Sequence, residues 1–379
     1  MARHITRELH RRLAAYPAVA LVGPRQCGKT TLGRSLGGVY FDLEQQSERL
    51  RLDLEWSNRV VGRDLLVLDE AQSWPEVFPR IRGAIDADRK RRGRFLLLGS
   101  VSPSLMQQVS ESLAGRLSQL ELTPFLWDEL PNASLREGLW MCGGFPDGGV
   151  LESGPYPRWQ LDYLDLLTQR DLPAWGLAAK PQSTDRLLRM LAAAHGQIWN
   201  ASQVGQSLGL SYHTVNSHLD HLVGAFLVRL LPSYQANIRK RLVKSPKVYW
   251  RDSGLLHALL NVPDHRALLT QPWVGASWEG FVIEQALGLL ASRGDSFEPY
   301  YFRTSDQYEI DLVLDHGTEL TAIEIKLTGS PGPEDMARLD KSADMIGAKR
   351  RFLVSQTKRS VGSDERASLN LRGLIKRLR

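Results

Sequence analysis

The string Gly23-Pro24-Arg25-Gln26-Cys27-Gly28-Lys29-Thr30, set directly behind the apolar run Val19–Val22, constrains the fold of this chain more than any other feature. It satisfies G-x-x-x-x-G-K-[ST], a pattern whose meaning depends on a strand before it and a helix after it. The glycines let successive backbone N–H groups turn toward one anion, and the helix start adds the positive end of its dipole. Such a loop predicts a parallel α/β sheet with a nucleoside triphosphate, taken as ATP, at the carboxyl ends of its strands. The residues from Gly23 to Thr30, with Thr31, are the expected nucleotide contacts. Lys29 would reach the β- and γ-phosphates, and Thr30 would coordinate Mg²⁺.

Four further apolar runs, Gly38–Leu43, Leu65–Asp69, Phe95–Gly99 and Gln119–Leu122, alternate with helix-like segments, as a parallel sheet requires. The second of them ends in Asp69-Glu70. Carboxylates at the end of a parallel strand face the ligand crevice. Asp69 is expected to hold the metal, directly or through water, and Glu70 to orient and deprotonate an attacking water. Ser100, or equally Ser102, follows the next strand and is placed to touch the γ-phosphate or that water. Arg116 suits the late-arriving cation that favours phosphoryl transfer, in its own subunit or a neighbour's. A structural ion pair is the other reading of Arg116. The catalytic set expected of an ATP hydrolase is thus Lys29, Glu70, Ser100 and Arg116, with ATP and Mg²⁺ as cofactors.

The 379 residues allow two or three domains. The patterning draws them at 1–135 for the nucleotide-binding unit and 136–182 for a linker or lid, rich in Gly and Pro at its start. Residues 183–264 read as helices with a basic hairpin. Residues 265–379 read as a second α/β unit that opens with an amphipathic helix near 274–293. No run of about 18 apolar residues occurs, so no membrane span is predicted. The first residues carry scattered charge and no signal-peptide core. Cys27 and Cys142 read as free thiols in a reducing cytoplasm. The net charge is +6, and it is clustered: residues 233–251 hold six bases and no acid. Residues 349–379 hold ten bases against two acids. Clustered positive charge favours a polyanion partner.

Residues 202–208, Gly209-Leu210 and 211–222 read as helix, turn, helix, with Ser211 as a cap and Gly209 in the turn. Val215, Leu219 and Leu222 share the core face, which leaves His213, Asn216 and Ser217 for a DNA groove or backbone. Arg239, Lys240, Arg241, Lys244 and Lys247 would form a basic wing beside them. Packing against protein is the competing use of the same unit.

The chain resembles bacterial and archaeal AAA-superfamily ATPases that carry a C-terminal domain of unknown function. The likeness covers nearly the whole chain. It rests on Gly23–Thr30, Leu68-Asp69-Glu70-Ala71-Gln72, Gly99-Ser100, Ser112-Leu113-Ala114-Gly115-Arg116, Gly143-Gly144-Phe145-Pro146, Arg170-Asp171-Leu172, Lys244-Ser245-Pro246-Lys247-Val248-Tyr249 and Asp252-Ser253-Gly254-Leu255. It implies an AAA-like ATPase core, a winged helix and a restriction-endonuclease-like fold.

Within that last unit, strand alternation puts Glu324 and Lys326 on one face and Ile323, Ile325 and Leu327 on the other. Asp311, on the strand before, is placed to lie beside Glu324, and Glu279 on the preceding helix adds a further acid. Two carboxylates that bind Mg²⁺, here Asp311 and Glu324, with a lysine at the water, are the equipment of phosphodiester cleavage. A cross-strand salt bridge in an inert scaffold is the alternative. The resulting expectation is an ATPase that binds and processes DNA as a homo-oligomer, a hexameric ring in its expected form, with no membrane partner. The alternative is a regulatory ATPase whose C-terminal half recognises protein, without nucleic acid.

Overall fold

The computed structural model describes residues 2–99, 113–235 and 242–379. Five strands build the first sheet: β1 (Ala18–Val22), β2 (Val39–Asp42), β3 (Leu66–Asp69), β4 (Phe95–Gly99) and β5 (Leu117–Glu121). Their order is β2-β3-β4-β1-β5, and every pairing is parallel. Every residue of β1, β3 and β4 is buried, as expected of central parallel strands, which read as unbroken apolar runs. β5 is an edge strand with Gln119 turned to solvent. It starts two residues before the expected Gln119 because it pairs residue for residue with β1, from Ala18 to Val22. Only β4 separates β1 from β3. The phosphate loop and Asp69-Glu70 therefore emerge on one edge of the sheet, about 10 Å apart in strand spacing.

The middle of the chain is mainly helical. Helical turns run on from one another through Arg158–Leu166, Leu167–Asp171 and Leu172–Ala174. The helices Pro181–Ala193, Ala201–Leu208 and Tyr212–Gly224 follow. Asn200 caps the second of these through the N–H of Gln203 at 3.1 Å, and Ser211 caps the third through the N–H of Thr214 at 3.1 Å. Gly209 ends the earlier helix in the left-handed region, φ 68°. Val215, Leu219 and Leu222 are buried, as their spacing requires. β6 (Val228–Leu231) and β7 (Lys247–Trp250) form an antiparallel hairpin.

A mixed sheet completes the fold, in the order β12-β13-β11-β10-β9-β8. Its strands are β8 (Glu298–Arg303), β9 (Glu309–Asp315), β10 (Leu320–Ile325), β11 (Arg350–Val354), β12 (Val361–Gly362) and β13 (Arg366–Leu369). The described residues of the connection between β6 and β7 are bonded to β8. The N–H of Tyr301 donates to Pro232 O at 2.9 Å, that of Tyr234 to Tyr301 O at 2.7 Å, and that of Val243 to Arg303 O at 3.1 Å. These flanking residues thus pair with the β8 edge, whose backbone groups would otherwise invite another chain.

The helix Val274–Arg293 is not amphipathic, contrary to expectation; it is buried on nearly every side. It packs at once on the helix Ile5–Ala15, β5, the helix Ser253–Leu259, β10 and the helix Leu371–Leu378, and a helix so enclosed needs no polar face. Arg251, just beyond β7, ties the parts together. It donates to Glu121 at the end of β5 and, through Nε at 3.2 Å, to Glu284 of that central helix. Glu284 also accepts from Arg229 of β6. The charges are buried but mutually neutralised, the condition under which burial of ions is tolerated. No helix among the described residues is long and apolar enough to cross a membrane.

Candidate functional site

The phosphate loop leaves β1 at Gly23, φ 150°, where a Cβ would overlap the carbonyl oxygen of Leu122. Only glycine satisfies both the backbone angle and that approach. Cys27 lies fully buried behind the loop, with its Sγ 3.3 Å from Leu122 O, and burial raises its thiol pKa. Arg3 braces the loop from outside by donating to Cys27 O at 3.1 Å. The helix Lys29–Ser35 begins directly after Gly28. Lys29 turns its ammonium back onto the loop, donating to Gly23 O at 3.0 Å and Pro24 O at 2.7 Å.

Thr30 and Asp69 are brought together. The Thr30 hydroxyl donates to Asp69 Oδ2 at 2.6 Å. Tyr40 of β2 donates to the same oxygen at 2.7 Å, and the Glu70 N–H donates to Asp69 Oδ1 at 3.0 Å. Glu70 sits in the left-handed region at φ 47°, an uncommon conformation for a residue with a side chain. Its carboxylate accepts from Gln72. Burial raises the Glu70 pKa and Asp69 adds to the rise, while Lys29, Arg25 and Gln72 oppose it.

These groups line a cleft of about 390 Å³, with Arg25, Gln26, Gly28, Lys29, Thr30, Thr31 and Glu70 on one wall. That volume is within the ordinary range of ligand sites. The opposite wall is the lid segment: Pro146, Asp147, Tyr163, Leu166, Arg170 and Asp171. Asp171 holds Arg25 of the loop at 2.5 Å and Arg170 at 2.9 Å. Sequence reasoning missed Tyr40, Tyr163, Arg170 and Asp171 as members of this site. Arg170-Asp171-Leu172 was visible as a motif, but nothing in the sequence aimed it at the loop.

Arg116 lies elsewhere. It precedes β5, and β5 runs parallel to β1 with Leu117 opposite Ala18 and Glu121 opposite Val22. Arg116 is therefore at the sheet edge opposite the phosphate loop, roughly 15 Å away at the rise of a strand. There it donates to Asp86 at 2.8 Å. It cannot serve the site of its own chain. Ser100, Ser102 and Ser112 lie outside the described residues.

The proposed nucleic-acid face is thinner than its sequence. His213, Ser217 and Lys244 are exposed. Asn216 instead accepts from the Trp199 indole N–H at 2.9 Å, which fixes it within the helical unit. Lys247 is buried, as is every residue of β7, and alternation puts it on the same face as Tyr249. Arg239, Lys240 and Arg241 lie outside the described residues.

Lys247 points instead into the acidic cluster of the C-terminal sheet. Its ammonium is 2.7 Å from Glu309, 3.0 Å from Glu279 and 3.7 Å from Asp311. Tyr249 also donates to Glu279. Asp311 accepts the N–H of Ile325 at 2.8 Å, and Lys326 closes on Glu324 at 2.7 Å. Burial, then Glu279 and Glu324, push the Asp311 carboxyl well above its ordinary range. Burial alone would lower the Lys247 pKa, but Glu279, Tyr249, Asp311 and Glu309 hold it well above normal. Glu279, Asp311, Glu324 and Lys326 are thus gathered as the strand pattern predicts, but around lysines. Among the described residues, no group of three or more His, Cys, Asp or Glu side chains is arranged to hold a metal ion.

The parallel sheet, the phosphate loop and the acids facing it define a P-loop ATPase of the AAA type, followed by C-terminal domains. The family described as AAA domain matches residues 15–130. Two families described as domains of unknown function match residues 134–266 and 274–372. The chain belongs to the family of the uncharacterized proteins Mb2031c of Mycobacterium bovis and Rv2008c of Mycobacterium tuberculosis. Each is 36% identical to it over 376 residues, covering 96% of this chain and 83% of the relative. Among solved structures, the Walker-type ATPase of Pyrococcus abyssi is 15% identical. It matches with a TM-score of 0.46 over 68% of this chain and 95% of its own.

Proposed function

We propose that this chain is a Mg²⁺-dependent ATPase that cleaves the β–γ phosphoanhydride bond in the cleft between the phosphate loop and the lid. The observation that carries this reading is the meeting of Thr30 and Asp69 at 2.6 Å beside that cleft. Asp69 is buried, accepts only from neutral donors and has no ion pair among the described residues. A buried carboxylate without a cation is costly, so this pair fits a divalent ion. When bound, Mg²⁺ neutralises charge on the phosphate oxygens. Lys29 exchanges the carbonyls of Gly23 and Pro24 for phosphate oxygens. Glu70 takes the proton of the water whose oxygen bonds to the γ-phosphorus as the bridging bond breaks.

The test is a pair of variants. Lys29→Ala should weaken ATP binding. Glu70→Gln should bind ATP but turn it over about 10²–10⁴-fold more slowly, the usual cost of losing a general base. Wild-type turnover by Glu70→Gln would reject the reading of Glu70.

DNA is the proposed partner, on the strength of the exposed His213, Ser217 and Lys244 beside the hairpin. Turnover stimulated by DNA, with binding lost steeply as salt rises, is the expected result. A flat response to DNA supports protein recognition by the same half instead. DNA cleavage is not part of this reading, because lysines already fill the acids that would hold its metal.

A further inference from the structure

We propose that Lys247 is a built-in replacement for a metal ion. Its ammonium fills the point where Glu279, Glu309 and Asp311 converge, so the acidic cluster is a cation pocket that the protein occupies itself. The geometry is that of a bound cation: three carboxylates from two elements, the helix Val274–Arg293 and β9, approach one nitrogen within 3.7 Å. The lysine side chain is only 4% exposed. A buried ammonium on a flexible stem persists only where several anions hold it. It also arrives from outside the sheet, since β7 belongs to the hairpin and pairs with β6 through Leu231 opposite Lys247.

The charge balance points the same way. Glu279, Glu309, Asp311 and Glu324 supply four acidic groups. Lys247, Lys326 and Arg303, which is 3.7 Å from Glu309, supply three positive ones. Removing Lys247 would leave four acids against two bases, with carboxyl oxygens that a divalent cation would then satisfy. A metal entering the intact pocket would instead have to expel an ammonium whose backbone is fixed in a hairpin. That hairpin's connection is itself bonded to β8. The ligand class of the emptied pocket is a hard divalent cation, since its donors are carboxylate oxygens.

The experiment is a Mn²⁺ titration, read by electron paramagnetic resonance, of the nucleotide-free full chain carrying Asp69→Asn to silence the ATPase site. That protein should bind no Mn²⁺ through Asp311 and should not cut duplex DNA. Adding Lys247→Met should create one Mn²⁺ site per chain, and adding Asp311→Asn should abolish it again. Asp311-dependent Mn²⁺ binding or DNA cleavage before Lys247 is replaced would overturn the proposal. So would a folded Lys247→Met protein that binds no Mn²⁺. If Lys247→Met does not fold, amine acetylation of the wild-type chain decides. Lys247 should label at least about tenfold more slowly than exposed Lys244, because its labelling needs a local opening. Equal labelling of the two would refute the proposal.

Discussion

Thr30 and Asp69 meet through a single 2.6 Å hydrogen bond across 39 positions of sequence, and Tyr40 donates to the same carboxylate oxygen. Two donors on one oxygen fix the orientation of Asp69. Burial and the bond to Asp69 raise the Tyr40 pKa, so the phenol remains a donor at any ordinary pH. Tyr40→Phe should keep the fold but lose about 1 kcal/mol of that positioning. The Mg²⁺ concentration for half-maximal turnover should then rise about fivefold, with the maximal rate little changed. An unaltered Mg²⁺ titration would show that Tyr40 positions nothing.

The pH dependence of turnover should report Glu70. A general base must be ionised to accept a proton. Burial raises its carboxyl pKa, with Asp69 as an accessory cause. The rate should therefore fall with decreasing pH at a point above that of an ordinary glutamate. In Glu70→Gln the slow residual rate should lack this limb. A profile of kcat against pH for the two proteins provides the check.

Arg116 defines a test of assembly. It sits across the sheet from its own phosphate loop and is held by Asp86. If it serves catalysis, it serves a neighbouring copy. Arg116→Ala should retain ATP binding and lose about 10³-fold or more in turnover, as removal of a trans cation does. Mixing Arg116→Ala with Lys29→Ala chains should restore part of the activity. Sedimentation with ATP should show a homo-oligomer; a monomer with full ATPase activity would dismiss the idea.

Two buried histidines should make the fold acid-sensitive. His195 Nδ1 accepts from the Trp250 N–H at 3.0 Å, so its Nε2–H faces Ala276 O at 3.2 Å. His257 Nδ1–H donates to Met141 O at 3.0 Å, and Ser277 donates to its Nε2 at 2.7 Å. Burial lowers His195 to about 3, aided by His257, and lowers His257 to about 4. In this window the unfolded chain binds more protons, so stability falls as pH falls. The contribution is complete above about 6.5 and is lost progressively toward about 4 and 3. His257→Gln, which keeps a donor and an acceptor, should flatten the decline of the urea midpoint across that range.

The sheet of the ATPase domain was legible because its strands are apolar along their whole length and its loop is a contiguous string. Thr30 and Asp69 followed from topology, since the parallel strands β1 and β3, with only β4 between them, deliver both to one edge. Charge was the harder quantity to read. Three basic residues of the C-terminal stretch meet acids from other windows: Arg351 and Arg366 bind Asp340, and Arg379 binds Asp128. A local count cannot see such partners. Lys247 looked like a wing base for the same reason, although its spacing from Tyr249 already placed both on one face of a strand. The pairing of Pro232, Tyr234 and Val243 with β8 was equally hidden, because it depends on a strand more than fifty positions away.

The contact of Arg251 with Glu121 and Glu284 bears on how the protein can be dissected. A fragment ending at residue 135 would retain the phosphate loop, Asp69 and Glu70. It would lose Tyr163, Arg170 and Asp171 from the cleft, break the ion pair of Arg25 with Asp171, and strip Glu121 of its guanidinium. The complementary piece would carry the apolar helix Val274–Arg293 uncovered where it packs on β5 and on the first helix. What resembles a detachable engine at the level of motifs is, in three dimensions, one share of a jointly owned interior.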